Sequence, residues 1–515
     1  MTRAVGLDAR REGLEHRPFV LIMLGIGSLA MIGPGLHALI VGDGATARVF
    51  FFAAMIGFGL SLLVGLATLG QRPAKPARSQ LVSLLGTFAL LPLLFAVPFH
   101  EAAEGVPFFD AWFEMVSSFT TTGATLFNDP GALPQSLHLW RAMVGWLGGA
   151  MIWVAAISIF APLNIGGFEV RSAARGESAA LTEMTGRQVQ SPSERLVRFG
   201  ARLLPIYAGL TLALWVCLLV TGEDPFVALC HAMSVLATSG ISPTGGLDGG
   251  SAGVAGEMVI FVFLIFGISR LTYSRGLLSD DDRAIWRDPE VRLAMMLVLG
   301  VPSLLFLRHY VGAADDTGGA NIGSAVAAMW GGIFTVLSFL TTTGFESTQW
   351  AQASQWSGLE APGLILTGLA LVGGGVATTA GGVKLLRVYA LMKHGEREVG
   401  RLIHPSSVGG AGMTARRIRR QGAYIAWVFF MLFALSLAGV MLLLALTGVQ
   451  FETAMILAVA SLSTTGPLAG LAGANPISYA GVSEAGQAVL AAAMVLGRLE
   501  TLALVALLNP EFWRA

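Results

Sequence analysis

The sequence predicts an all-α integral membrane protein, with two N-terminal helices followed by four repeats of a helix, a short re-entrant helix and a second helix in pseudo-fourfold arrangement around one axis. Three observations predict it. Hydrophobic residues make up 54% of the 515 residues and charged residues only 12%, with a mean hydropathy of +0.69, whereas soluble domains carry about a quarter charged residues. Apolar runs near the ~20 residues needed to cross hydrocarbon recur along the chain. Finally, a threonine-rich string with a glycine returns four times, as "SSFTTTGATLF" from Ser117, "SVLATSGISPT" from Ser234, "SFLTTTGFEST" from Ser338 and "ASLSTTGPLAG" from Ala460.

Lipid cannot satisfy backbone hydrogen bonds, and the continuous rather than alternating apolarity of the runs selects helices over a barrel. After a tail, 1–17, the segment 18–78 holds the runs Phe19–Leu39 and Val49–Leu69. Arginines precede the first run, but it exceeds the ~7–15-residue core of a signal sequence and lacks an A-x-A site, so it reads as a retained helix. Module one, 79–165, holds Leu81–Pro98 and Met143–Phe160, and a linker, 166–198, leads to module two, 199–285, with Leu203–Leu219 and the run around Met258–Ile268. Modules three and four occupy 286–400 and 401–515. Inside each module the threonine string follows a segment that dips in and comes back. Phe108 to Thr120 would be about 20 Å long as a helix, against ~30 Å of hydrocarbon. The matching segments are Pro225 to Thr238, Ile322 to Thr342 and Phe451 to Thr464. Twelve residues before each glycine stand Ala111, Ala228, Gly332 and Ala454, all small, as close packing of short helices favours. The four glycines are 117, 104 and 122 residues apart, the mark of a duplicated module.

Charge sets the orientation. With the N-terminus inside, the segments 1–17, 71–80, 163–202, 269–292, 384–420 and the end of the chain carry 29 of the 32 Lys and Arg residues, which is the positive-inside asymmetry. The other side holds 16 acids, among them Glu101, Glu114, Glu223 and Glu346, and a negative face concentrates cations. Net charge is zero, which argues against a nucleic-acid partner. The two cysteines, Cys217 and Cys230, and the eight histidines show no metal-ligand spacing and read as packing residues.

Non-helical backbone at membrane depth is tolerated where it is buried in protein or lines a water-filled path. Four such loops around one pore are the plan of a cation filter built from backbone carbonyls. Glycine allows the positive φ that aims successive carbonyls at the axis, and threonine adds a hydroxyl. The short helices point their partially negative C-terminal ends at the cavity. One such string alone is ordinary helix-end chemistry; four at matched positions are not. The candidate filter residues are Thr121, Thr122, Gly123 and Ala124; Thr238, Ser239, Gly240 and Ile241; Thr342, Thr343, Gly344 and Phe345; and Thr464, Thr465, Gly466 and Pro467. Two further features stand out. "GGGVATTAGG", 373–382, puts five glycines in ten residues where helix interiors lose about 1 kcal/mol per glycine, so the helix should break into an intramembrane loop; close helix packing is the alternative. Arg498 lies in the final apolar helix, where a charge faces a cavity or pairs with an acid such as Glu500.

These strings, with "TTTGAT" from Thr120, "TTTGF" from Thr341, "GGGVATTAGGVKLLRV" from Gly373 and "LGRLETLALVALLNPEFWR" from Leu496, make the chain resemble the Trk/Ktr/HKT superfamily of potassium transporters, and most closely the bacterial TrkH-type subunits. The resemblance implies a multi-pass protein of the bacterial inner membrane, with its N-terminus cytoplasmic, that transports K+ and carries no organic cofactor. It implies K+ ligation at Thr122, Gly123, Ser239, Gly240, Thr343, Gly344, Thr465 and Gly466, and a gate comprising Gly373, Gly374, Gly375, Gly381, Gly382, Lys384 and Arg498. It also implies a homodimer and a separate cytoplasmic NAD/ATP-binding ring of the TrkA type. The second loop departs from the family's pattern in reading "TSGIS", and Pro467 follows the fourth glycine. The basic run "RRIRR", Arg416–Arg420, is a contact for that ring or for anionic membrane lipids. No Walker A, strand-linked GxGxxG or nucleophile–base grouping stands out, so the chain is not expected to be an enzyme. The competing class is a solute/cation symporter with a midplane site at the broken helix.

Overall fold

The computed structural model describes residues 19–68, 76–163, 167, 168, 170, 192–269, 288–312, 322–357, 359, 361–403, 422–473 and 475–499. Among them every regular element is helical. Helices α1 (Phe19–Ala30) and α2 (Ile32–Val41) form one apolar path interrupted at Met31, and α3 (Gly44–Ala67) runs back beside them. The Asp43 carboxylate starts α3 by accepting from the Thr46 backbone N–H at 3.0 Å, one of the donors a helix start leaves free. Module one is α4 (Pro76–Ala102), α5 (Phe108–Phe119) and α6 (Gln135–Ala155), the last running on as a π-helical turn, Ala156–Phe160. Module two is α7 (Pro192–Val220), α8 (Pro225–Ala237) and α9 (Gly253–Leu264). In module three α10 (Pro289–Gly312) and α11 (Ile322–Leu340) are followed by α12 (Trp350–Ser357), α13 (Gly363–Val372) and α14 (Leu385–Ile403). Module four is α15 (Ala423–Leu446), α16 (Phe451–Leu462), the single turn α17 (Leu468–Ala472) and α18 (Glu484–Leu499).

Eight described stretches are long and apolar enough to cross a membrane. One of the eight, Gly323–Leu340, is the re-entrant helix α11 itself. At 19 residues it matches a span in length, yet it ends in the same string as α5, α8 and α16, of 12, 13 and 12 residues. Burial sorts the spans. The Gln135–Phe160 stretch is 83% buried, whereas Gly44–Ala67 and Ala423–Leu446 are only 22% buried. Leu62, Leu63, Tyr424 and Leu446 are exposed on α3 and α15, and large exposed apolar surface of this kind is what acyl chains cover.

The N-terminal pair is fastened to module one by aromatic packing. Phe50 of α3, Phe95 of α4, Phe119 of α5 and Trp140 of α6 are all buried. The Trp140 ring stands edge-on to Phe95 at 5.3 Å and to Phe50 at 5.7 Å, and its indole N–H donates to the Phe95 carbonyl at 3.1 Å. Truncating such a ring costs about 3–5 kcal/mol. The small residues twelve before each glycine also find their reason. Ala111, Ala228 and Ala454 are at most 1% exposed, and a Cβ on Gly332 would sit 3.0 Å from Pro302 of α10.

Candidate functional site

All four short helices end in the same way. Thr121, Thr238, Thr342 and Thr464 have φ of +55°, +51°, +56° and +56°, a region in which a β-branched residue is an outlier. The next backbone N–H reaches back five residues, from Thr122 to Ser117 (2.8 Å), Ser239 to Ser234 (2.9 Å), Thr343 to Ser338 (2.9 Å) and Thr465 to Ala460 (2.7 Å). This is a Schellman cap with threonine where glycine is usual. The glycine therefore does not end the helix; it lies two residues beyond the left-handed cap. Strain of about 1–3 kcal/mol at such a threonine persists only where the surroundings hold it, and here it recurs in all four modules.

The glycines are where the loops touch one another. A Cβ at Gly123 would overlap the Ser239 carbonyl oxygen, and one at Gly240 would overlap that of Thr343. At Gly344 it would press on the Pro467 ring at 3.0 Å, and at Gly466 it would overlap the Ala124 backbone nitrogen. Loop one thus abuts two, two abuts three, three abuts four and four abuts one, in a closed ring. Glycine's positive φ is used in three loops, at +73°, +64° and +83° for Gly123, Gly240 and Gly344. Gly466 lies outside that region, and its N–H donates to the Thr122 carbonyl at 2.6 Å. The residues after the first three glycines turn away into packing: Ala124, Ile241 and Phe345 are at most 2% exposed. The hydroxyls of Thr122, Ser239, Thr343 and Thr465 bond within their own segments, to Thr120, Ser234, Thr341 and Ser463.

All four glycines and Pro467 line one cavity of about 580 Å³, with Glu346, Asp248, Arg141 and His138 among its walls. Arg141 is neutralised there by the buried Glu114, 2.9 Å away. Burial, and then the charge of Asp248, raise the Glu346 carboxyl to about 7. Polar clamps hold the segments leaving the ring. Glu114 accepts from the Thr125 hydroxyl at 2.8 Å and the Leu126 N–H at 2.6 Å. His231 bonds the Ser242 hydroxyl at 2.8 Å, Glu257 takes up Ser347 and Thr348, and the Tyr479 hydroxyl donates to the Gly466 carbonyl at 3.0 Å. In sequence Glu114 stands out only as an acid of one face and His231 as a packing residue, and nothing singles out Glu257 or Tyr479. Their partners lie from 11 to 91 residues away, which no local pattern reports.

Beneath the ring the glycine-rich segment breaks the helix as expected: α13 stops at Val372 and α14 begins at Leu385. The break carries four residues of positive φ, Gly373, Ala377, Gly382 and Lys384. It is pinned to three modules. Gly375 N–H donates to the Gly267 carbonyl at 3.0 Å, the Thr379 hydroxyl to the Leu236 carbonyl at 3.1 Å, and Val376 N–H to the buried Glu290 carboxylate at 2.8 Å. Gly381 N–H donates to the Thr342 hydroxyl at 2.7 Å, and a Cβ on Gly381 would overlap the Ser463 carbonyl. A Cβ on Gly374 would fall 2.6 Å from the Gly267 carbonyl oxygen. The Lys384 ammonium turns back onto the Ala380 carbonyl. Arg498, 4% exposed, donates to the Thr121 hydroxyl, so the cap threonines of loops one and three are met from below by Arg498 and Gly381. Glu500, Arg416–Arg420 and the stretch 500–515 lie outside the described residues.

This fold and site define a multi-pass membrane protein that brings four matched re-entrant loops to one axis, with a broken helix and a buried arginine beneath them. The chain belongs to the TrkH family, described as cation transport protein, which it matches over residues 85–248 and 254–513. It is 31% identical over 513 residues to the Trk system potassium uptake protein TrkH of Halomonas elongata, covering 96% of this chain and 98% of that one. It is 30% identical over 508 residues to the Trk system potassium uptake protein TrkH of Escherichia coli strain K12, with the same coverage. The crystal structure of the potassium transporter TrkH from Vibrio parahaemolyticus superposes with a TM-score of 0.80 at 26% identity, covering 97% of this chain and 99% of that one.

Proposed function

We propose that this chain carries potassium ions across the bacterial inner membrane through a selectivity filter formed by its four threonine–glycine loops. The observation that carries the reading is the closed ring in which each glycine abuts the next loop at the floor of one cavity. Carbonyls at such a constriction replace an ion's hydration shell, and those of Thr122, Gly123, Ser239, Gly240, Thr343, Gly344, Thr465 and Gly466 are the ligands. A cation entering the ring takes the Thr122 carbonyl from the Gly466 N–H. The choice of potassium rests on the relatives, which are named for potassium uptake. Gly373–Gly382 with Lys384 forms the gate: Gly381 obstructs the path by bonding Thr342 from below. Arg498 is an electrostatic barrier on the same path, because a buried guanidinium repels a cation passing it. The N-terminus is cytoplasmic, the protein is a homodimer, and a cytoplasmic nucleotide-binding ring of the TrkA type moves the gate.

Rubidium flux into proteoliposomes tests the reading. The expected flux saturates only at high cation concentration and is indifferent to organic solutes. Uptake linked stoichiometrically to a solute would overturn it in favour of a symporter with its site at the broken helix.

A further inference from the structure

We propose that Glu257, on α9 of the second module, is a positioning residue that holds the third loop in its ion-ligating geometry. The inference rests on the filter reading above. Glu257 is 2% exposed, and four donors converge on its carboxylate, all of them neutral. One oxygen accepts from the Thr348 N–H at 2.7 Å and the Thr348 hydroxyl at 2.6 Å. The other accepts from the Ser347 hydroxyl at 2.7 Å and the Trp330 indole N–H at 2.8 Å. Ser347 and Thr348 leave the ring three and four residues after Gly344, and Trp330 lies on α11, the helix that enters it. The carboxylate therefore ties entry and exit of the third loop to each other and both to the neighbouring module. The Trp330 ring also packs on Phe261 of α9, with centroids 5.5 Å apart.

The loop needs such a tie. Thr342 and Gly344 hold positive φ at +56° and +83°, and strained backbone survives only where its surroundings over-determine it. Further bonds fix the same turn: Ser347 N–H donates to the Thr335 hydroxyl at 3.2 Å, and Gln349 N–H to the Ser347 hydroxyl at 3.1 Å. The clamps Glu114, His231 and Tyr479 each belong to the module whose loop they hold, whereas Glu257 reaches across a module boundary. A carboxylate is suited to four donors because both its oxygens are acceptors only. Glutamine keeps one oxygen and opposes the Trp330 N–H with its own N–H groups. Alanine strands all four donors.

The test uses the full chain in proteoliposomes, reading the K+/Na+ flux ratio beside the melting temperature. Wild type is expected to favour K+; a wild type that does not discriminate overturns the filter reading, and Glu257's role with it. With wild type selective, Glu257→Gln is expected to lower the ratio about tenfold by loosening the turn that follows the ligand Gly344, the low end of what changes around an ion's ligands cost. Ser347→Ala with Thr348→Val removes the two hydroxyl donors while keeping the acid and the Thr348 backbone N–H, and is expected to match that loss. Trp330→Phe removes only the helix donor and is expected to change the ratio less. If Glu257→Ala does not fold, the Gln and loop variants decide. An unchanged ratio in folded Glu257→Gln, or equal losses in Trp330→Phe and the loop variant, overturns the positioning role.

Discussion

Loops one to three and loop four carry nearly the same string but close differently. In the first three the glycine is left-handed, at +73°, +64° and +83°. In the fourth, Pro467 follows at φ −59° and opens the short helix α17, and Gly466 instead donates its N–H to loop one. Proline constrains the residue before it, so the residue after the glycine decides how that glycine is used. The Pro467 ring then stands against Gly344, 3.0 Å from where a side chain there would begin. Gly344 is thus required for its backbone angle and for room beside a side chain, and Gly466 for room beside a neighbouring backbone alone.

The two glycines should therefore fail differently when a methyl is added. Gly466→Ala drives a methyl into the backbone of Ala124, and K+ flux is expected to be lost in protein that still inserts. Gly344→Ala also loses flux, through crowding by Pro467 and about 1–2 kcal/mol for a left-handed alanine. Adding Pro467→Ala removes the crowding and is expected to recover part of the flux of Gly344→Ala and none of that of Gly466→Ala. Equal recovery, or none in either, breaks the distinction between the two glycines.

Much of this architecture was legible in the sequence. Apolar run length and the fourfold string marked the modules, and the small residues Ala111, Ala228, Gly332 and Ala454 lie at tight packing positions as read. The glycine density of 373–382 foretold a broken helix. What escaped was the division of labour inside the loops. The string names threonine and glycine without showing that the left-handed cap falls on Thr121, Thr238, Thr342 and Thr464, because a β-branched residue enters that region only when tertiary contacts force it. Glu257 and Glu290 escaped for a related reason. Each serves a segment 86 to 91 residues away in sequence, and an acid in an apolar run shows no partner by itself.

Loops one and three differ in what lies beneath them. Arg498 meets Thr121, and Gly381 meets Thr342. Two unit charges ~6 Å apart at an effective dielectric near 20 repel by about 3 kcal/mol, so Arg498→Ala is expected to raise cation flux by up to roughly a hundredfold. Lower thermal stability in detergent with unchanged flux per folded protein would retire the barrier and leave Arg498 as a structural tie to loop one.

On the opposite side the tie is a neutral hydrogen bond, and the expected effect is smaller. Thr342→Val keeps the shape of the side chain and removes the acceptor for Gly381 N–H, leaving a buried donor unpaired at a cost of about 1–3 kcal/mol. The glycine-rich segment should then leave the path more often, raising basal flux several-fold. Shortening Gly373–Gly382 should act in the same direction. Zero flux in correctly folded protein would show instead that the segment supports the ring.

The smallest expected effect is at the mouth, where loop three brings Glu346 into the cavity and the other three loops bring no acid from the equivalent position, carrying Thr125, Ser242 and Leu468. Burial first and Asp248 second raise the Glu346 carboxyl from 4.5 to about 7. Above that pH it is ionised and draws cations to the mouth; below, it takes up a proton and the attraction is lost. Arg141 is held by Glu114, and Asp248 is itself raised by burial and then by Glu257. K+ flux is therefore expected to fall as the pH on the cavity side drops through about 7, by roughly twofold, since one charge ~8 Å from an ion in water contributes about 0.5 kcal/mol. High salt should erase most of the difference. Glu346→Gln is expected to be flat across this range at the level of the low-pH limb, and Asp248→Asn to move the midpoint down, because it removes a cause that raises it. A midpoint that persists in Glu346→Gln would assign the titration to another group and remove loop three's acid from the account of the mouth.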